Sequence, residues 1–530
     1  MRRARRTTLL LVALALAAAC DPGAAPPPAA PSPAGATSAP PSATLRVAID
    51  RPDALLPQRA DEQAEQWLAD AVFDSLTRWG PDLRPVPAAA VSWSADASQR
   101  VWTFRLREDA AWHDGRPVLA ADFVRGWRAL VRAGRMAHLL FDVEGVDGTD
   151  PARAEPAVRA LDARTLEVRL RRPSADFPAV AAHPALAPLP PGADSAEYAA
   201  RPVGNGPFAV PEAGASSRFV RVGRFPGWRN GPAPALDEIV FQVMDPETAF
   251  LAFQQQRVHL SPVPPGALTA LLTESPGSAW RGERAVLYLL GMDHTRPPFD
   301  RVEARRALSL AVDRVALAAA VSEGAAAPAG GLLPAWLPEA VPERCGSCVR
   351  DPGAARELFA QAGVTALRLS FNTGAGHETV ARRVRDDLAE AGVALEFDAR
   401  PGPEFLAAAR AGELTLFRLG WQPDVPVAGA VLRPLLHGDA VPSGPEGVRH
   451  NLGRYRAADV DALLDQARQT AAPLVRAATY RRAARLALER DQAVVPLFVS
   501  RHRLARAPEA AGLAPDPMGQ VDWAAVRLER

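Results

Sequence analysis

Along most of the chain the hydrophobic pattern switches between two periods. Residues 101–107 (VWTFRLR) alternate, with Trp102, Phe104 and Leu106 on one side, which predicts a half-buried strand. RTLEVRLRRP (164–173) alternates in the same way, and LRVAI (45–49), FVRVGRF (219–225) and IVFQVM (239–244) read as further strands. Between them the spacing lengthens to that of a helix. Residues 63–77 put Trp67, Leu68, Val72 and Leu76 on one face. Ala121-Asp122 opens a helix carrying Phe123, Val124, Trp127 and Leu130. The stretch 302–321 predicts one long amphipathic helix, with Ala304, Ala307, Leu308, Ala311, Val312 and Val315 along its stripe. Strands at 367–372, 394–399 and 414–420 then alternate with helices at 353–362, 378–391, 458–470 and 477–490. His113-Asp114-Gly115-Arg116-Pro117 reads as a turn. VGNGPF (203–208) reads as a tight turn in which Gly204 and Gly206 supply positive φ. No repeat of 20–50 residues is visible. The class is mixed α/β.

The N-terminus has a different character. MRRARRTTLLLVALALAAAC places four Arg before an apolar run from Leu9 to Ala19. At 1.5 Å per residue that run is too short for a bilayer core of about 30 Å, and the pattern is that of a secretory signal peptide, residues 1–19. Leu16-Ala17-Ala18-Ala19-Cys20 resembles a lipobox, which makes Cys20 the lipidated first residue of an exported protein; plain cleavage after Ala19 is the alternative. Residues 20–43, nearly all Ala, Pro, Ser and Gly after Cys20-Asp21, cannot bury a core and read as a disordered tether reaching roughly 60–70 Å.

Composition narrows the function classes. A chain of 530 residues is too long for one core of usual size, so two or three sub-domains are expected. A net charge of +1 gives no pull toward nucleic acid. Every basic residue is Arg, which removes Schiff-base, P-loop and kinase lysines together. G-x-S-x-G and H-E-x-x-H are absent, and Ala381 stands where a second zinc-binding His would follow His377. Asp386 and Asp387 are adjacent on a helix and do not face each other. These absences leave no catalytic residue, metal or cofactor to expect. Cys345 and Cys348, in PERCGSCVRDP, are most simply a local disulfide in an exported chain; a zinc site lacks two further ligands, and a redox pair lacks a thioredoxin-like setting.

The order of motifs resembles the extracellular solute-binding proteins of bacterial ABC importers, family 5, and within it the oligopeptide-binding branch. The carrying segments are VWTFRLREDAAWHDGRPVLAADFVRGW (101–127), PVGNGPF (202–208), RPPFDRVEARRALSLAVDR (296–314), DPGAARELFAQAG (351–363), FRLGWQPD (417–424) and DQAVVPLF (491–498). The resemblance implies a two-lobed clamp of the type II, cluster C-like kind, with three sub-domains and a hinge. One lobe would comprise 44–290 and 486–530, with an inserted sub-domain at about 90–200; the other would comprise 291–485. It implies capture of a peptide by a monomeric clamp, and delivery to a membrane permease driven by separate ATPase subunits.

Residue by residue, the resemblance puts Asp424 on the peptide's α-ammonium, Arg418 on the carboxylate of short peptides and Trp421 in an apolar wall. The backbone around Gly420 would pair with the ligand like an added strand. Asn372 and His377 would lie near the ligand's C-terminal end, and Asp61 would face the ligand from the other lobe. Read without the resemblance, Asp424 is a turn residue beside Pro423 and Pro426, Trp421 is core, Arg418 pairs with a structural carboxylate, and His377 caps a helix at the surface. Departures from the branch, such as Val425 after Asp424 and Gln256-Arg257-Val258-His259 after a helix, keep haem, a metal chelate or an oligosaccharide open as ligands, and a sensing role with them.

Overall fold

In a computed structural model of the chain, residues 43–146, 150, 153–193, 195–212, 214–340, 345–374, 376–442 and 450–529 are described. The expected signal peptide, Cys20 and nearly all of the expected tether lie outside the described residues. No helix among the described residues is long and apolar enough to cross a membrane.

Two large sheets organise residues 43–529. The first has seven strands, in the order Ala279–Trp280, Leu504–Arg506, Leu260–Pro262, Thr44–Ile49, Glu238–Val243, Phe219–Arg224, Phe208–Ala209. Thr44–Ile49 runs parallel to both of its neighbours at the centre, and Leu45, Val47 and Ile49 are buried there. Between its strands Thr44–Ile49 and Phe208–Ala209 the chain builds a four-stranded antiparallel sheet, Ala90–Ala95, Val101–Leu106, Thr165–Arg169 and Val158–Ala160. The alternation of Val101–Leu106 does what its sequence requires: Trp102, Phe104 and Leu106 are buried and Arg105 is exposed. The helix Ala120–Ala133 buries Phe123, Trp127 and Leu130 and ends on Gly134, whose φ of 78° a side chain would resist. The Asp122 carboxylate accepts from the Leu119 N–H and the Trp112 indole, so this helix start also ties down a core tryptophan. First sheet and inserted sheet share one hydrophobic core.

The second sheet has six strands, in the order Ala326–Pro328, Val494–Arg501, Glu283–Met292, Leu416–Trp421, Ala366–Asn372, Ala394–Arg400. The last three run parallel, joined by helices including His377–Glu390 and Gly402–Ala411. Separate cores cover its two faces. Its strands extend past both ends of the 291–485 stretch expected for the second lobe. The chain passes between the sheets twice, from Trp280 to Glu283 and from Arg501 to Leu504, and the crossings lie side by side: the His502 N–H donates to the Gly282 carbonyl at 2.8 Å. Cys345 and Cys348 are joined as a disulfide.

Three local expectations are corrected. The helix expected over 302–321 is two, Val302–Ala311 and Arg314–Ala320. Asp313 breaks it, because its carboxylate caps the second helix by accepting from the Ala316 N–H, and a capping residue needs extended backbone. The register shift turns Val315 outward, 63% exposed, and buries Arg314, which donates to the carbonyls of Ser309, Cys348 and Pro496. The helix expected over 63–77 stops at Val72. There Gly204 and Gly206 press on its end, and neither has positive φ. Both are glycine for space: a Cβ on Gly204 would lie 1.9 Å from the Val72 carbonyl oxygen, and one on Gly206 2.6 Å from the Phe73 nitrogen. Asn205 between them clamps Asp74, donating to its carbonyl and accepting from its N–H.

Gly204→Ala is therefore expected to cost about 3 kcal/mol or more, since the obstacle is backbone and cannot rotate away. Urea unfolding at matched pH measures it, and an unchanged midpoint would contradict the close-approach account.

Candidate functional site

In an open α/β sheet, ligands bind beyond the carboxyl ends of the parallel strands, where side chains fan out from adjacent C-termini. In the second sheet those ends carry Asn372, Arg400 and Trp421, and the chain runs on from Trp421 to Asp424.

The strand Leu416–Trp421 pairs antiparallel with Glu283–Met292, which sets Gly420 opposite Tyr288 and Arg418 opposite Leu290. Opposed residues share a face and alternate residues share a face, so Arg418, Gly420 and Tyr288 stand on one side. On its other edge Glu283–Met292 sets Tyr288 opposite Phe498, and the two rings stack at 4.7 Å. Gly420 has no side chain, and the Arg418 guanidinium folds back over it to lie 5.2 Å from the centre of the Tyr288 ring. His377, from the first turn of His377–Glu390, places Nδ1 3.1 Å from the Tyr288 hydroxyl. Three strands and a helix thus bring Phe498, Tyr288, Arg418 and His377 into one cluster.

Charge in this cluster is one-sided. Burial pushes the His377 imidazole down to about 4, and the Arg418 cation adds to the effect, so His377 is neutral near pH 7. It is buried, not a surface cap. Burial pushes the Tyr288 phenol up to about 12. Arg418 makes no ion pair among the described residues, and its Nε is buried without a hydrogen-bond partner. The Asn372 Oδ1 is also buried and unpartnered. The arrangement offers a guanidinium and polar groups to an anion beside an aromatic platform.

Opposite charge lies beyond the strand. Asp424 follows Pro423 and precedes Val425 and Val427, which pack on Ala179 with Trp79, Leu139 and Val180 of the first-sheet part. The His138 Nε2–H donates to the Asp424 carboxylate at 2.8 Å. Burial works to raise the Asp424 pKa, but the hydrogen bond and charge of His138 outweigh it, and the carboxyl stays below its ordinary range. Trp421 points to the other face from Arg418. Its indole N–H donates to the Ala430 carbonyl, its ring meets His450 edge-on at 4.9 Å, and it packs with the Leu287–Leu289 core. Asp61 lies apart, ion-paired to Arg135 at 2.7 Å, which also reaches Asp53.

The same seam between the two sheet-centred parts holds a buried ionic knot. Asp176 pairs with Arg476 at 2.8 Å and accepts from the Tyr480 hydroxyl at 3.1 Å, while Arg468 pairs with Asp142 at 2.7 Å. Glu339 accepts from the Ala428 N–H beside this group. Burial, with the charge of Asp176, pushes the Glu339 carboxyl up to about 7.

Tyr288 and His138 have no local sequence signal. The run around Tyr288 is apolar on both faces and shows no alternation, and His138 meets Asp424 across 286 residues.

The chain belongs to the bacterial extracellular solute-binding proteins, family 5: residues 84–443 match the description "Bacterial extracellular solute-binding proteins, family 5 Middle". That is a family of binding proteins, and its fold is the two-lobed clamp. Among curated relatives, the periplasmic oligopeptide-binding protein OppA of Escherichia coli K12 is 26% identical over 492 residues, covering 88% of each chain. The probable deoxycholate-binding periplasmic protein YgiS of the same organism is 26% identical over 471 residues, covering 84% of this chain and 86% of that one. Among solved structures, the unliganded open form of the murein tripeptide binding protein MppA superposes with a TM-score of 0.83 at 22% identity, covering 92% of this chain and 98% of that one.

Glu339 supplies a test of the seam. Its folded pKa of about 7 lies above a free glutamate's 4.5, so wild-type stability is full below pH 4.5 and is lost as pH rises through 7. Glu339→Gln removes that loss. The variant should match wild type at pH 4 and exceed it by about 3 kcal/mol at pH 8, read by urea unfolding at both pH values. Equal stability at pH 8 would show the carboxyl to be solvated.

Proposed function

We propose that this protein is the ligand-capturing subunit of an ABC importer and that its ligand is a short peptide with free termini. The observation that carries the reading is a pair of opposite charges at one strand end. Arg418 has no carboxylate among the described residues, and Asp424, six positions on, is held ionised. A peptide bears those charges in reverse, a cation at one end and a carboxylate at the other. A closing clamp that desolvates them needs a fixed partner for each.

In this reading Asp424 takes the α-ammonium. Arg418 takes the carboxylate of short ligands, with Asn372 and His377 beyond it for longer ones. The backbone at Gly420 pairs with the peptide, Trp421 supports the wall behind Asp424, and Asp61 faces the ligand from the first lobe. The lobes are the two sheet-centred parts, turning about the crossings at 281–282 and 502–503. Capture is a population shift: a ligand satisfied by both lobes favours the closed form through contacts the open form lacks. The chain works as a monomer, anchored by a lipid on Cys20 and held off the membrane by its tether, and hands the ligand to a permease whose ATPase subunits are separate chains. The oligopeptide-binding relative, similar over most of both chains, supports the peptide reading.

A second reading has a specific observation behind it. The probable deoxycholate-binding relative shares the same 26% identity as the oligopeptide-binding one, and a guanidinium beside the Tyr288–Phe498 stack would also suit an apolar carboxylate.

Calorimetry separates the two. Asp424→Ala should weaken trialanine binding about 10- to 100-fold, the range for losing a hydrogen bond to a charged group, with unfolding unchanged. N-acetylated trialanine should bind wild type and variant equally weakly. Trialanine affinity indifferent to Asp424, with tight binding of a bile acid, would replace the peptide by the apolar anion.

A further inference from the structure

The Asp424 carboxylate is already occupied. It is engaged by an imidazole from the other side of the seam, in the part of the molecule built on the first sheet. That imidazole is held in place by its own turn, Ala137–Leu140, in which Ala137 and Leu140 are buried and Leu139 packs into the apolar patch around Val425 and Val427. Backbone on both sides of the contact is thus fixed. The pair itself is open to solvent: the His138 side chain is 31% exposed and the Asp424 side chain 42%. A solute entering the seam can reach both.

We propose that His138 is a proton-linked gate on the ammonium subsite: it holds Asp424 in the empty clamp, and a cationic ligand end must displace it and release its proton. The proposal rests on the reading of Asp424 as the ammonium partner.

The ionisable groups that face His138 are few. Asp424 is the acidic one; His183 lies behind Trp79, and His450 lies against Trp421 with Arg410 beyond it. His183 is buried, its Nδ1 accepting from the Ala185 N–H, and burial pushes it down to about 4. Burial also lowers His450, helped by Arg410 and His138. These two imidazoles are neutral near pH 7 and compete for no carboxylate proton. Phe141, edge-on to His138 at 6.4 Å, adds no charge.

A carboxylate in an ion pair with imidazolium favours the protonated ring. When an ammonium takes over the carboxylate, the ring loses that partner and faces a like charge, so the bound state holds fewer protons than the free state. By linkage, affinity then rises with pH, by at most tenfold per pH unit, across the range in which imidazole changes charge. Between pH 5 and 7 a peptide α-ammonium and Asp424 both keep their charge, and the His138 variants separate the contribution of this ring from those of His450 and Glu339 along the same seam. A ligand without a cation gains nothing from displacing the ring, so the gate also sorts free amino termini from blocked ones in a pH-dependent way.

The test is calorimetric titration with trialanine and N-acetyl-trialanine at pH 5, 6 and 7, each in two buffers of different ionisation enthalpy. It uses wild type, His138→Gln, which keeps a hydrogen-bonding side chain without a titrating one, His138→Phe, and Asp424→Ala. Circular dichroism checks the fold of each variant. Wild-type affinity for trialanine should rise about tenfold or more from pH 5 to 7, with a proton released on binding. His138→Gln and His138→Phe should bind with no pH slope and no proton release, and at pH 5 more tightly than wild type. A flat wild-type profile, or the same slope and proton release in His138→Gln, overturns the gate. If Asp424→Ala still weakens trialanine binding about 10- to 100-fold in that case, the peptide reading stands without it. Full trialanine affinity in Asp424→Ala overturns the ammonium site and the gate with it.

Discussion

The antiparallel pairing of Glu283–Met292 with its two neighbours is the constraint on which the candidate site depends. That one strand brings Gly420 of Leu416–Trp421 and Phe498 of Val494–Arg501 opposite the same residue, Tyr288. Strands have a period of two, so a slip of one position would turn Tyr288 toward the helical core on the other face and leave Arg418 over an aliphatic surface. The register is secured by burial on both faces, with Leu290 and Met292 in one core and Leu287 and Leu289 in the other. The chemistry of the site is therefore underwritten by apolar packing that touches no ligand. The guanidinium lies directly over Gly420, where a Cβ would stand 3.4 Å from Arg418 Nη2, an ordinary contact.

The seam shows a second use of the same economy. Charged groups there are taken from both sheet-centred parts, and each is answered across the boundary: Asp176 by Arg476, Asp142 by Arg468, Asp424 by His138. The buried pair among them, Asp176–Arg476, adds little net stability, because desolvation consumes most of the attraction. The pairs do penalise misalignment, since a displaced partner leaves a charge unpaired. Arg418 breaks the pattern, with no such answer among the described residues, and Glu339 breaks it in the opposite direction, as a carboxyl pushed up to about 7 with no ion pair among the described residues.

Much of this was legible in the amino-acid sequence, and the reasons for what was not are physical. Half-buried elements announce themselves: VWTFRL and the helix after Ala121 follow their periods because one face meets water. Elements buried on both faces do not, which is why the strands carrying Tyr288 and Phe498 leave no alternation. The break at Asp313 was written in a capping residue but masked by an apolar stripe that ran straight through it. Gly204 and Gly206 were legible as glycines and not as to reason, because steric room depends on a neighbour 131 or more residues away in the chain. The family could be read from motif order, and Arg418, Gly420 and His377 do come together. Asp61, by contrast, is tied to Arg135, and Trp421 faces away from Arg418; side-chain direction at a strand end is settled by the partner strand.

The paired crossings at Gly282 and His502 have a mechanical meaning. Two chain segments joined side by side form a ribbon, and a ribbon is compliant about one axis and stiff against shear within its own plane. Sliding one segment past the other would break the bond between the His502 N–H and the Gly282 carbonyl, whereas bending both together leaves it intact. Bending of this ribbon is therefore softer than shear along it, which biases relative displacement of the two parts toward opening and shutting.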